Sequence, residues 1–423
     1  MTSSRLPTAC SRRAALATLV SSAFVAACGG GGGDAATSAT SSATTTGTTS
    51  GSTTSSGTGS TASVLTQGTV TGFGSVIVNG VRFDDSGVDA LDDDGRKQVL
   101  GLGMSVEVSS GSIDDSRNAR AHALRVGAQL LGPVASVAAD GLSLVALGQT
   151  VDVSDTTVLD DSLSAGIASL VAGDLVEVHG TTDASTGHLV ATRIEQKASA
   201  TAYKLRGTVA ALDTTARTFR IGGATISYAG LDSALVPATL ADGVLLRVTL
   251  ATTPLDAAAG LWQATSLGLR GAATTVATGT ATEVRGSITA FTSATAFSID
   301  GLVVDASAAT FPDGSSGIVL GARVEVHGTV NASGVLVATR VEPARADASA
   351  GRTRHFELHG AITAVDSAAQ TFTLRGVTVS YAGTVEYVDG TAAGLVVGAR
   401  VEVRGGVGST RTLVQASRIR FET

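Results

Sequence analysis

From Gly68 onward, apolar and polar positions alternate in short runs, and the same order of runs returns five times. Each copy opens on a glycine within a short apolar run: Gly68-Thr69-Val70, Gly132-Pro133-Val134, Gly207-Thr208-Val209, Gly286-Ser287-Ile288 and Gly360-Ala361-Ile362. A second run ends at another glycine, with apolar residues four and two places before it. These are Val76/Val78 before Gly80, Leu144/Ala146 before Gly148, Phe219/Ile221 before Gly223, Phe297/Ile299 before Gly301 and Phe372/Leu374 before Gly376. A spacing of two puts each pair on one face of a strand, the face to be buried. Three residues past that glycine stand further inward positions: Phe83, Val151, Ile226, Val304 and Val379. The glycine supplies the φ > 0 turn between second and third strands.

After a variable stretch comes the sharpest signature. It reads Val106-Glu107-Val108, Val176-Glu177-Val178, Leu246-Arg247-Val248, Val324-Glu325-Val326 and Val401-Glu402-Val403. Apolar, charged, apolar is a half-buried strand with its charge in water. A last strand carries Ala123…Val126, Ala191…Ile194, Ala264…Leu267, Ala338…Val341 and Ala416…Ile419. Those residues lie three apart, which strict alternation forbids and a β-bulge reconciles.

Five short strands with the longest insertion between the third and fourth match the OB fold, a five-stranded Greek-key barrel. The expected fold is therefore all-β, a tandem array of about five small OB-like barrels. A sandwich or continuous solenoid of the same repeats is the competing architecture. The copies are placed at 64–128, 129–197, 203–271, 283–344 and 356–423. Each is expected to fold largely alone.

The repeat also resembles a bacterial family catalogued only as domain of unknown function 5666. The likeness rests on the opening Gly-x-[Val/Ile], the Gly-Ala-Arg-Val-Glu-Val-His-Gly run at 321–328 and the Ala-Thr-Arg-Val at 338–341, and it covers nearly everything from Gly68 on. The third copy departs most. The resemblance implies an OB-like fold and no particular activity.

The amino-terminal residues follow a different pattern. Arg5, Arg12 and Arg13 precede an uncharged run from Ala14 to Ala27, a positive segment and an apolar one of signal-peptide length. The run is too short for a comfortable membrane span. It ends Val25-Ala26-Ala27-Cys28, which resembles the lipobox of bacterial lipoproteins, so residues 1–27 are expected to be removed and Cys28 lipidated. Gly29, rather than Asp, after the cysteine implies an outer-membrane address by the same resemblance. Ser11-Arg12-Arg13-Ala14-Ala15-Leu16 resembles a twin-arginine signal, leaving both export routes open. Residues 29–63 are Gly, Ala, Ser and Thr apart from Asp34, so no apolar face exists to bury. The segment from Cys28 to 63 reads as a disordered tether spanning about 30 Å.

Composition sharpens this picture. Only 4% of the 423 residues are aromatic and 15% charged, while 52 are glycine, which suits β structure with many tight turns. Removing residues 1–27 takes Arg5, Arg12 and Arg13 and no acid, moving the net charge from -7 to -10. That sign opposes phosphate backbones, and Phe219, Phe297 and Phe372 fall on the buried face, so nucleic acid is not an expected partner. Cys10 and Cys28 are the two cysteines, so no disulfide is expected in the processed chain.

Candidate chemistry is sparse. In Arg354-His355-Phe356-Glu357-Leu358-His359, a strand would aim His355, Glu357 and His359 to one side, where two imidazoles and a carboxylate could ligate zinc or iron. The competing reading is a solvated strand face, and no fourth ligand is identifiable. His179 and His327 follow the Val-Glu-Val run where Arg404 stands in the fifth copy, which suits a shared surface role beside a carboxylate. Asp92-Asp93-Asp94-Gly95 lacks the alternating spacing of a calcium loop and reads as an acidic turn. No Gly-x-Ser-x-Gly elbow is present, and Glu177, Glu325 and Glu402 recur once per copy, as scaffold residues do. The chain is expected to be a non-enzymatic envelope protein without a cofactor. Its partners are the membrane, through Cys28, and an unknown envelope protein or polymer. A metal- or small-ligand-binding lipoprotein is the alternative, and an envelope hydrolase the least supported.

Overall fold

The computed structural model describes residues 63–269, 278–344 and 355–422. The signal peptide, Cys28 and nearly all of the tether lie outside them. The described residues are strands, turns and a few single-turn 3-10 segments, with no α-helix.

The first copy forms a closed circuit. Its strands are Ser63–Phe73, Val76–Val78, Val81–Asp84, Ser105–Ser110 and Asn118–Val126. The first pairs antiparallel with the second, the second with the third, the fourth with the fifth, and the fourth with the first. The third lies parallel to the fifth, Arg82–Asp84 beside Asn118–Arg120, and closes the ring. Strand order 1-2-3-5-4-1 is the OB connectivity. Closure removes the open edges that a short sheet would expose.

Among the described residues the circuit recurs four more times. Barrel 2 uses Leu130–Val137, Ser143–Ala146, Gln149–Asp152, Leu175–Thr182 and Leu189–Lys197. Barrel 3 splits its first strand into Tyr203–Thr208 and Ala210–Asp213, followed by Thr218–Ile221, Ala224–Ser227, Leu245–Leu250 and Leu261–Leu269. Barrel 4 comprises Ala281–Ser293, Ala296–Ile299, Leu302–Asp305, Arg323–Val330 and Leu336–Pro343. Barrel 5 comprises Phe356–Asp366, Thr371–Leu374, Val377–Ser380, Arg400–Val407 and Val414–Phe421.

Inside each ring the alternating residues meet. Phe83, Val151, Ile226, Val304 and Val379 are all buried, as are the pairs before the second glycine. The bulge is present in every copy. On the last strand one residue is skipped by the pairing: His122, Thr192, Thr265, Thr339 and Ser417. The extra residue lets an alanine and an aliphatic residue three places on share the inner face. In the first copy that pair is Ala121 and Leu124, not Ala123 and Val126, because the bulge falls at His122 and turns Ala123 outward.

A second glycine device sits three residues before the Val-Glu-Val run. Gly173 and Gly398 adopt φ of 97° and 91°. Gly173 donates its N–H to Val134 O at 2.9 Å, and Asp174 O accepts the Val134 N–H at 2.8 Å. Gly398 does the same with Ile362 at 2.8 Å, and Ala399 O accepts the Ile362 N–H at 2.9 Å. This reciprocal pair locks the long insertion onto the first strand where the fourth begins.

The barrels dock out of chain order. Ser63–Thr66 runs parallel to Thr282–Arg285, joining barrels 1 and 4. Gly72 and Phe73 run parallel to Glu357 and Leu358, joining barrels 1 and 5. Lys204 and Leu205 pair antiparallel with Leu131 and Leu130, joining barrels 2 and 3. One apolar cluster runs through barrels 2 and 3, another through barrels 1 and 5, and Leu65 of barrel 1 enters the core of barrel 4.

Candidate functional site

The outward faces of the first, fourth and fifth strands carry a ladder of charged side chains. In barrel 5, His359 stands opposite Glu402 and Glu357 opposite Arg404. His359 Nε2 lies 2.7 Å from Glu357 Oε1, and its Nδ1 lies 3.1 Å from Glu422 Oε1. The hydrogen bond to Glu357 raises the imidazole pKa; burial opposes this, and Glu422 adds to the rise. The Glu357 carboxyl is held below its usual value by His359 first, against burial, and then by Arg82 and Arg404.

Of the three ligands expected from sequence, Glu357 and His359 come together. Their ligand atoms lie within 4.8 Å of one another and of a third group, Glu402. His355 is exposed and outside this trio, because the paired strand begins at Phe356. Barrel 4 repeats the trio as Glu283, Glu325 and His327. Both trios hold guanidinium groups. Arg285 contacts Glu283 and reaches Glu325 at 3.0 Å, and Arg82 contacts Glu357. A dication entering either trio would have to displace these cations, whose charges already compensate the carboxylates.

His179, expected on the surface, is fully buried between barrels 1 and 2. Its Nδ1 accepts the Ser105 N–H at 3.2 Å, and its Nε2 lies 3.1 Å from Glu177 Oε1. The bulge residue Thr192 donates its hydroxyl to Gly103 O at 2.6 Å across the same seam. Beside them, burial pushes the Glu195 carboxyl up, but Arg193 and Lys197 outweigh it and hold it at about 2.

The acidic turn proves to be a docking element. Asp92 organises the turn, accepting the N–H groups of Asp94 and Arg96 at 2.9 and 2.8 Å. Asp93 reaches into barrel 3, where it contacts Arg206 and accepts from Arg247 Nη1 at 2.9 Å. Asp94 pairs with Lys204 at 2.8 Å. Burial raises the Asp93 carboxyl, yet Arg206, Arg247 and Lys204 together bring it below the usual value. The departure of the third copy is thereby explained: Arg247 stands where the other copies have Glu because its partner is the acid of another barrel.

These features define a class: a tandem array of OB-type five-stranded barrels joined by charged seams. Three segments in tandem, 132–195, 285–342 and 359–420, match the model of the family described as "Domain of unknown function (DUF5666)". No curated protein matches the sequence. Among solved structures, the chain titled "drosophila Unr CSD456" is similar at 17% identity over 53% of this chain and 98% of its own, with a TM-score of 0.14.

Proposed function

We propose that the chain is an exported lipoprotein, anchored through Cys28 in the outer membrane. Its docked barrels form a non-enzymatic scaffold or binding surface for an envelope protein or polymer. The observation supporting this is the use made of the ionisable side chains. Asp93, Arg206, Arg247, His179 and Glu357 are committed to seams between barrels. Each is paired with a group of a neighbouring barrel, the use a scaffold makes of charge to fix one barrel against another. The candidate anchor lies outside the described residues, and no described helix is long and apolar enough to cross a membrane.

Metal or small-ligand binding is the second reading, favoured by the convergence of Glu357, His359 and Glu402. Stoichiometric zinc binding abolished in a His359→Ala variant would place it first.

The anchor is tested by Cys28→Ser. A hydroxyl cannot replace the thiolate as acyl acceptor, so the variant should not incorporate a fatty-acid analogue and should leave the membrane fraction. Undiminished labelling in the variant would overturn the lipoprotein reading.

A further inference from the structure

Beside the strand pairing of barrels 1 and 5 lies a cleft of about 230 Å³, walled by Arg82, His359, Arg375, Arg400, Glu422 and Ser75. We propose that this cleft binds a phosphate group, free or carried by a larger ligand. It deepens the reading of the array as a binding surface but requires neither the anchor nor a particular cellular address.

Three guanidinium groups line the cleft in a chain whose net charge is -7. Arg375 is the most telling. It occupies the first turn position between second and third strands with φ of 52°, where barrels 1 and 4 place Asn79 and Asp300 and barrel 2 the buried Leu147. Asn and Asp tolerate left-handed backbone far better than a long side chain does. The turn therefore holds a strained residue whose guanidinium stands at the cleft. Its Nε donates to His359 O at 3.0 Å, which fixes the plane of the fork and leaves the two terminal nitrogens for a ligand.

Arg400 is exposed over most of its side chain and reaches Glu422 only at 3.6 Å, a distance that leaves its fork available. Gly74 keeps the cleft open. It adopts φ of 134°, and a Cβ there would stand 2.6 Å from the His359 Cβ. A tetrahedral dianion can accept from two forks at once, whereas a monocarboxylate presents only two oxygens and suits one. The anion would also face Glu422. This carboxylate restricts binding to ligands that engage both arginines.

The test is calorimetric titration of the purified full chain with inorganic phosphate, with acetate in a parallel run. One phosphate should bind per chain, and acetate at least tenfold more weakly. Arg375→Asn should weaken phosphate binding at least tenfold while leaving the melting temperature unchanged or higher, since Asn relieves the turn. Arg400→Gln should weaken it comparably. Arg418→Gln, a charge change outside the cleft, should not alter it. Absence of saturable binding, equal affinity for acetate, or equal losses in all three variants would overturn the proposal.

Discussion

At the residue scale, single side chains far apart in the chain, such as Asp93 with Arg206 and His179 with Ser105, close the seams between barrels. Phe83 or Val379 declares itself because alternation is a local property, read within one strand. Asp93 gives no such sign: its partners Arg206 and Arg247 stand 113 and 154 residues away. An acid that closes a seam looks in sequence like an acid in a turn. Glu357 and His359 were visible as a pair, but Glu402 entered only through strand pairing, and His355 dropped out where the strand ends. His359 yields a pH prediction. Its pKa is raised in the folded chain above the ordinary 6.5. Its contribution is therefore complete below about pH 6.5 and is lost as pH rises through the raised value. The urea midpoint should thus fall more between pH 6 and pH 9 in the native chain than in a His359→Gln variant. Parallel profiles would show that the imidazole proton adds nothing to the seam.

At the element scale, the three-residue spacing on the last strand forecast a bulge, and all five copies have one. The physical reason is simple: two inward residues separated by an odd number need one residue that does not pair. The glycine three places before Val-Glu-Val was present in every copy yet carried no assigned role, because its hydrogen bonds go to a strand far back in the chain. Two substitutions separate the two uses of glycine in barrel 5. Gly398 needs its positive φ, but a Cβ there meets nothing within 4 Å. Gly405 sits at the bulge, where a Cβ would lie 2.2 Å from Gln415 O. Gly398→Ala should therefore cost about 1 kcal/mol, the ordinary cost of left-handed backbone. Gly405→Ala should cost more, since main chain rather than a side-chain tip must move. Chemical denaturation that ranks them in the opposite order would contradict this account of the bulge.

At the scale of the whole molecule, the repeat was legible but the docking was not. A tandem sequence suggests beads joined in order, each folding alone. The strand circuits do close within each copy, yet the apolar clusters cross between copies. Barrels 2 and 3 share one cluster, so residues 129–271 should melt in a single transition. Leu65 is the one residue of another barrel in the core cluster of barrel 4 among the described residues, so that barrel should retain a cooperative melt alone. Two separate transitions for barrels 2 and 3 would mean that their shared cluster does not couple them.

Barrels distant in sequence dock into one unit, and the export proposed for the chain would place that unit in an oxidising compartment. Ser63 and Thr282 are direct neighbours across the seam of barrels 1 and 4. Adjacent strands lie about 4.8 Å apart, within disulfide reach. The other cysteines are Cys10 and Cys28, both near the amino terminus, so a pair introduced as Ser63→Cys and Thr282→Cys has no competing partner in the folded barrels. The decisive measurement is the thiol content of that double variant, expressed with its own leader in cells and trapped at lysis. Docked barrels in an oxidising compartment should leave both new cysteines joined without added oxidant. Recovery of both as free thiols would contradict the account.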